Sequence, residues 1–169
     1  GGEVLKWDIK TFKSSRIIRS YSEGDVAHGI SWGNNRNTVL VSGIFRTNDT
    51  SFLQIFDVNS SKLVKSFIGH EGIVRSVMWL ENGKLLVTAS DDDSIRIRDV
   101  ESEAIVKTYV KLSNEDKNEM RIWNIIKHPN EQTIVSSGND KVIRLWSLYQ
   151  NQEYRILEGH TDWIKSISF

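Results

Sequence analysis

The sequence predicts an all-β protein built from similar four-stranded antiparallel sheets, and three observations support this prediction. Short segments alternate apolar and polar residues, which is the pattern of strands with two different faces. No window shows the sustained apolar spacing of an amphipathic helix. The sequence also repeats, because similar segments end 42 to 49 residues apart at Asp8, Asp57, Asp99 and Ser147. This period matches one four-stranded blade of a β-propeller.

The best-formed repeat shows how the strands of one blade are expected to follow each other. Its four strands are predicted at residues 73–80, 84–90, 94–100 and 104–110. Asn82-Gly83 separates the first two strands and predicts a two-residue hairpin turn, because both residues tolerate positive φ. Asp91, Asp92 and Asp93 precede the third strand, where short acidic side chains bond to their own backbone in a turn. Each blade is therefore expected to be a meander.

Three complete repeats and two partial ones divide the chain. We expect the third and fourth strands of one blade at 1–22, complete blades at 25–68, 69–110 and 119–158, and the first strand of a further blade at 159–169. The polar residues 111–120 are expected to form an extended connection. A closed ring needs whole blades, and the two partial pieces together lack a second strand. The chain is therefore expected to be a segment of a larger propeller whose other blades are missing from it.

The composition excludes several classes of function. The 169 residues contain 22 Lys and Arg against 22 Asp and Glu, so no net charge attracts nucleic acid or an anionic membrane. No run approaches the ~18 apolar residues of a membrane-spanning helix, and the first residues lack the order of a signal peptide, so no membrane partner is expected. The sequence has no cysteine, which excludes disulfides and thiolate nucleophiles. This composition fits an intracellular location, in the cytoplasm, the nucleus or both.

No pattern of residues supports catalysis. The sequence contains none of the motifs G-x-x-x-x-G-K, H-E-x-x-H and G-x-S-x-G. His70 and His160 are candidates for metal ligands or general bases, but they lie two repeats apart and are better explained as structural residues. Asp91, Asp92 and Asp93 lack the alternating oxygen ligands of a calcium loop. We therefore expect no catalytic residue, no metal and no cofactor.

Short motifs recur at the same place in successive repeats. Gly-His opens two repeats, at Gly69-His70 and Gly159-His160. Trp-Asp or a related pair closes four, at Trp7-Asp8, Phe56-Asp57, Arg98-Asp99 and Trp146-Ser147. A Ser or Thr on the second strand and an Asp in the following turn lie between them, at Ser42, Thr88, Ser136, Asp92 and Asp140. In these motifs the sequence resembles the WD-repeat β-propeller family over nearly its whole length, which implies a ring of about seven blades.

The resemblance implies a hydrogen-bond network within each blade that links a His, the strand hydroxyl, the turn Asp and a Trp. Its members in this sequence are His70, Thr88, Asp92, Arg98, Ser136, Asp140, Trp146 and His160. No blade holds the full set, because one has Arg98 in the place of the Trp and another has no Gly-His before Trp146. We expect Arg98 to pair with Asp92 or its neighbours. The blade of Trp146 is expected to use water or a residue of 111–120.

The resemblance also places two columns of first-strand residues on the upper face of the ring, around the mouth of its channel. Residues two apart on a strand face the same side. The columns, joined by the two residues that precede the turn Asp, contain Val26, Ile73, Arg121, Trp163, His28, Arg75, Trp123, Lys165, Asp91 and Asn139. We call this set the upper rim. Its mixture of Arg, Trp, His and acid is typical of interface hot spots, and packing between blades is the alternative explanation of Trp123 and Trp163.

Two classes of function follow from these residues. The first is a non-enzymatic scaffold or adaptor that binds other protein subunits within a multiprotein complex. The second is a propeller that recognises RNA or a phosphorylated or modified peptide through the positive groups of Arg75, Arg121 and Lys165. RNA binding would fall steeply with salt because of counterion release. The balanced charge of the chain favours the scaffold.

Overall fold

Antiparallel sheets account for the regular structure of the chain. The computed structural model describes residues 3–18, 24–33, 35, 37–110, 121–129, 132–150 and 153–169. Within these ranges, fourteen strands form three four-stranded sheets and one two-stranded sheet. The predicted connection at 111–120 and the ends of the predicted segment 1–22 lie outside the described residues. In the part of the chain that is described, no helix is long and apolar enough to cross a membrane.

The strands follow the chain in four groups, and each sheet is a meander. The head sheet consists of β1 (Val4–Asp8) and β2 (Lys13–Ile18). Blade A consists of β3 (Val26–Trp32), β4 (Thr38–Phe45), β5 (Thr50–Asp57) and β6 (Leu63–Phe67). Blade B consists of β7 (Val74–Leu80), β8 (Leu85–Ser90), β9 (Ser94–Asp99) and β10 (Ile105–Val110). Blade C consists of β11 (Ile122–Lys127), β12 (Thr133–Gly138), β13 (Ile143–Ser147) and β14 (Glu153–Leu157). The predicted all-β fold of four-stranded antiparallel blades is confirmed.

The turn between β7 and β8 differs from the prediction. Leu80 pairs with Leu85, so the loop has four residues instead of the two predicted at Asn82-Gly83. Three successive residues have positive φ, at 46° for Glu81, 54° for Asn82 and 93° for Gly83. The backbone N–H of Lys84 donates to the carbonyl of Glu81 at 3.2 Å and closes the loop. The prediction was wrong in length because the left-handed conformation extends one residue before the Asn-Gly pair.

The residue that ends each third strand shapes the turn to the fourth strand. The carboxylate of Asp57 accepts the backbone N–H groups of Asn59 and Ser60, and Asp8 and Asp99 make the same pair of bonds in their own sheets. In blade C the hydroxyl of Ser147 takes this role. The backbone donors lower the pKa of Asp8, Asp57 and Asp99. The repeat of this residue is therefore explained by turn geometry.

The apolar core lies in the seams between successive sheets. The A–B seam joins Leu40, Leu53, Ile55 and Phe67 of blade A to Val74, Val77 and Leu86 of blade B. The B–C seam joins Leu80, Val87, Ala89, Ile95, Ile97 and Tyr109 to Ile122, Ile125, Ile134 and Trp146. The head sheet packs on blade A through Val4, Ile17 and Ile18. Because each blade has two apolar faces, the first strands β3, β7 and β11 lie side by side in sequence order.

Residues 159–169 pack on blade C without forming a regular strand. The structure assigns no strand there, where the first strand of a further blade was predicted. Ile164 is nevertheless buried, and its backbone N–H donates to the carbonyl of Gly138 at 2.9 Å. In blades A, B and C the first strand is held by its ladder to a second strand. No second strand pairs with residues 159–169 in the part of the chain that is described, which explains the difference.

Candidate interaction surface

A buried network of polar side chains ties the entrance of blade B to its second and third strands. His70 lies just before β7, Thr88 lies on β8, and Asp92 lies in the turn that follows β8. Nδ1 of His70 is 2.8 Å from a carboxylate oxygen of Asp92, and Nε2 is 2.7 Å from the hydroxyl of Thr88. Only 6% of the His70 side chain and 11% of the Asp92 side chain are exposed. Both ring nitrogens of His70 are therefore satisfied within the blade.

Arg96 completes this network, which corrects the prediction for Arg98. Arg96 pairs with Asp92 at 3.2 Å and donates to the hydroxyl of Ser94 and to the carbonyl of Gly69. Arg98 donates instead to the carbonyls of Ile68 and Glu103. The register explains the exchange, because Thr88 is paired with Arg96, whereas Arg98 lies two residues further along β9.

Two blades share the spacing that the sequence prediction missed. Asp92 and Arg96 are four residues apart in blade B, and Asp140 and Arg144 are four residues apart in blade C. In both blades the Arg on the third strand pairs with the turn Asp. The side chain of Arg144 is only 8% exposed, so this ion pair is largely removed from water. The repeated Asp-x-x-x-Arg pattern was the sequence signal from which both contacts could have been predicted.

The blade C network contains the Trp but no His. The indole Nε1 of Trp146 donates to the hydroxyl of Ser136 at 2.7 Å, and both side chains are buried. The predicted partner from residues 111–120 lies outside the described residues. His160 is exposed and makes no hydrogen bond to any residue that the structure describes. Blades B and C therefore each carry part of the network, and His160 carries none of it.

The environment of Asp92 makes stability depend on pH. Burial alone would raise the pKa of Asp92, but hydrogen bonds from His70 and Ser94 and the charge of His70 outweigh it and hold the pKa well below its ordinary value. A carboxylate with a lowered folded-state pKa stabilises the fold above its unfolded-state pKa, and this stabilisation is lost as the pH falls towards the folded-state value.

We therefore expect the free energy of unfolding to decrease as the pH is lowered below about 4, which is the pKa of an unfolded Asp. The decrease should be smaller in Asp92→Asn, which has no carboxylate to protonate at this position. Urea denaturation between pH 2 and pH 7 measures the free energy of unfolding of the wild type and of Asp92→Asn. Parallel curves for the two proteins would show that Asp92 is not the group responsible. Asp8, Asp57 and Asp99 remain in both proteins and cancel in the comparison.

Charged residues of the upper rim meet where β3 and β7 begin. The guanidinium of Arg75 binds the carboxylate of Asp91, with Nε 3.0 and 3.1 Å from its two oxygens and Nη2 at 2.6 Å. His28 is exposed, and partial desolvation followed by the charge of Arg75 lowers its pKa, while Asp91 acts in the opposite direction. The structure thus brings His28, Arg75 and Asp91 into one cluster on neighbouring blades.

The aromatic residues of the upper rim form a second cluster at blade C. The rings of Trp123 and Trp163 are perpendicular, with centroids 5.2 Å apart. Trp163 is 55% exposed, whereas Trp123 is half-buried beneath it. The side chain of Asn139 accepts the backbone N–H of Arg121 at 2.7 Å and fixes the start of this blade. Arg121 and Lys165 are exposed. The two tryptophans therefore pack against each other, and Trp163 is at the same time exposed at the surface.

The polar groups of the blade B network and of the Arg75–Asp91 pair bond to one another. Among the described residues, no group of three or more His, Asp and Glu side chains is placed to hold a metal ion. Both nitrogens of His70 are engaged within the blade, and the acid of the rim is paired with Arg75. Among the rim residues that the structure describes, the Arg75–Asp91 pair is partly exposed and the indole of Trp163 is exposed. The described residues fold as blades of a β-propeller.

Comparison with known proteins identifies the repeats. Residues 61–99 and 111–147 match the family described as WD domain, G-beta repeat. The mouse WD repeat-containing protein 37 is 31% identical over 106 residues, which are 62% of this chain and 20% of that protein. The pre-mRNA-splicing factor cwf17 of Schizosaccharomyces pombe (strain 972 / ATCC 24843) is 27% identical over 165 residues, which are 97% of this chain and 45% of that protein. These two segments of the chain therefore match the WD repeat.

A solved structure shows the same fold. A chain in the crystal structure of the mitotic checkpoint complex superposes with a TM-score of 0.80 at 17% sequence identity. The superposition covers 99% of this chain and 47% of that chain. The chain thus spans less than half the length of this neighbour and of the curated relatives named above.

Proposed function

We propose that the chain is part of a non-catalytic scaffold that binds other protein subunits of a multiprotein complex through its upper rim. The observation that carries this proposal is the tryptophan pair Trp123 and Trp163. The half-exposed indole of Trp163 packs edge-to-face against the ring of Trp123. A preformed aromatic surface loses little side-chain entropy on binding, and aromatic residues and Arg dominate interface hot spots. Arg75 and Asp91 provide a neighbouring polar contact of fixed geometry.

The state of Arg75 favours a protein partner over RNA or a phosphorylated peptide. Its guanidinium is already compensated by Asp91 through three contacts shorter than 3.2 Å. A phosphate would have to displace this carboxylate or bind beside its negative charge. The chain as a whole has no net charge, so it provides no long-range attraction for a polyanion. Names of relatives agree with assembly in complexes, since one is a splicing factor and one neighbour lies in the mitotic checkpoint complex.

We also propose that the protein acts inside the cell, in the cytoplasm or the nucleus. The sequence has no cysteine and therefore forms no disulfide, and disulfides are rare in proteins of the cytoplasm and nucleus. Buried ion pairs within the blades and apolar contacts in the seams stabilise the structure instead.

The rim proposal is tested by the affinity of a partner protein that is first identified by co-purification and then purified. Trp163→Ala should weaken binding by at least about fivefold, which corresponds to the ~1 kcal/mol of a typical hot-spot residue. Phe12→Ala is the matched control, because Phe12 is an exposed aromatic residue on the head sheet, away from the rim. Equal affinity of Trp163→Ala, Arg75→Ala and the wild type would contradict the proposal. An affinity that falls steeply with salt would favour a polyanionic ligand instead.

A further inference from the structure

A groove crosses the B–C seam at the end of the blades opposite the upper rim. Its volume is about 680 Å³. The apolar part of its wall comes from Leu80, Leu85 and Ile97 of blade B and from Leu148, which follows β13. The polar part includes Lys107 and Lys127. More of the exposed lining is polar than apolar, so apolar side chains and charged groups lie side by side in this groove.

In the A–B seam, a tryptophan side chain lies at the position that corresponds to this groove. Trp79 is paired with Leu86, and Lys127 is paired with Ile134 at the equivalent position of the next blade. Trp79 packs against the apolar cluster of the A–B seam. Lys127 lines the groove of the B–C seam instead. The groove therefore lies where blade C has Lys127 at the position of the blade B indole, and the apolar side chains of its wall can contact an aromatic ring.

The same comparison identifies a position for a carboxylate. On β6, the ammonium of Lys65 donates to the carbonyl of Val100 at 2.7 Å and pairs with Glu103 at 3.1 Å. On β10, the equivalent Lys107 donates to the carbonyl of Leu148 at 2.8 Å. No carboxylate of the described residues lies within ion-pair distance of Lys107. Residue 151, which corresponds to Glu103 in the repeat, is an asparagine in the sequence. Partial burial lowers the pKa of Lys107.

We propose that this groove binds a peptide segment of a partner protein that carries an aromatic side chain close to an acidic one. The aromatic ring takes the place that Trp79 holds in the A–B seam, and the carboxylate pairs with Lys107 as Glu103 pairs with Lys65. Glu81 also lines the groove, so a strongly acidic segment is disfavoured and a single carboxylate is preferred. The site is separate from the upper rim and does not depend on the function proposed for it.

The probes are three acetylated and amidated peptides in which zero, one or two glycines separate Trp from Glu, each matched by a peptide with Gln in place of Glu. Binding to the full chain is followed by the methyl NMR signals of Leu80, Leu85 and Leu148. We expect saturable shifts of these signals with at least one Trp and Glu peptide. Its Gln partner should bind about fivefold more weakly, because it lacks the charge-assisted hydrogen bond to Lys107.

Two variants separate this site from non-specific binding. Lys127→Trp restores the residue of the A–B seam and should reduce the affinity at least about tenfold by filling the groove. Lys62→Trp, at an exposed lysine of blade A, is the control and should bind as the wild type does. Lys107→Gln should abolish the preference for Glu over Gln while keeping the aromatic contribution, and this readout does not require Lys127→Trp to fold. Absence of saturable shifts, or an unchanged Glu preference in Lys107→Gln, would overturn the proposal.

Discussion

Replacing Asp92 with alanine is expected to lower the free energy of unfolding by about 3–5 kcal/mol, because removal of one member of a largely buried ion pair leaves its partners uncompensated. His70 loses its Nδ1 partner, Arg96 loses its carboxylate, and Ser94 loses the acceptor of its hydroxyl and backbone N–H. The blade entrance, the turn and the third strand are then no longer connected. Urea denaturation followed by tryptophan fluorescence at neutral pH measures the change.

The neighbouring residue provides the control for Asp92. Asp91 also pairs with an Arg and is about as buried as Asp92, but among the described residues its carboxylate bonds to Arg75 alone, whereas Asp92 also bonds to His70 and Ser94. Asp91→Ala should therefore cost less than Asp92→Ala, because it breaks one ion pair and leaves the link between the blade entrance and the third strand in place. Equal losses for the two variants would mean that the position of Asp92 inside the network is not what stabilises the blade.

Replacing Trp146 with alanine is expected to lower the free energy of unfolding by about 3–5 kcal/mol, the usual cost of removing a large aromatic side chain from a core. Trp146 is 3% exposed and lies in the B–C seam, with the centroid of its ring 5.4 Å from that of Tyr109. Tyr109 is the other ring among the buried residues of this cluster, and the bond from its hydroxyl to the carbonyl of Ser147 keeps it from moving into this volume. The loss should lower both the midpoint temperature of thermal unfolding and the midpoint urea concentration.

A conservative variant divides this loss into two parts. Trp146→Phe keeps much of the apolar ring but removes the Nε1 donor to Ser136. It should cost about 1–3 kcal/mol, which includes the buried hydroxyl that is left without its donor. A Trp146→Ala variant as stable as Trp146→Phe would contradict the assignment of this ring to the core of the seam.

Much of the fold is predictable from the sequence because strand periodicity and repeat spacing are local signals. The four strands of blade B begin and end within one residue of their predicted bounds. Each strand has apolar residues on the face that enters a seam, so its pattern shows directly in the sequence. Residues 159–169 were the exception. Their own pattern predicts a strand, but a strand also needs a neighbouring strand to pair with, and a local pattern does not show whether one is present.

The side-chain contacts are only partly predictable. His70, Thr88 and Asp92 lie together where the motif places them, because backbone pairing fixes their positions. Whether Arg96 or Arg98 pairs with Asp92 depends on the register of β8 and β9. The sequence alone does not decide this, because both side chains are long enough to reach Asp92. The groove could not be predicted from one repeat. It follows from comparing Trp79 with Lys127 once both positions are assigned to a seam.

The central claim is that the recurring polar residues hold the blades together instead of performing chemistry, and a double-mutant cycle between His70 and Asp92 tests it most directly. The cycle compares the free energies of unfolding of His70→Ala, Asp92→Ala and the double variant with that of the wild type. Residues in one network should show a coupling of about 1–3 kcal/mol. Additive losses, with a coupling below about 0.5 kcal/mol, would show that the two side chains act independently and would contradict the account.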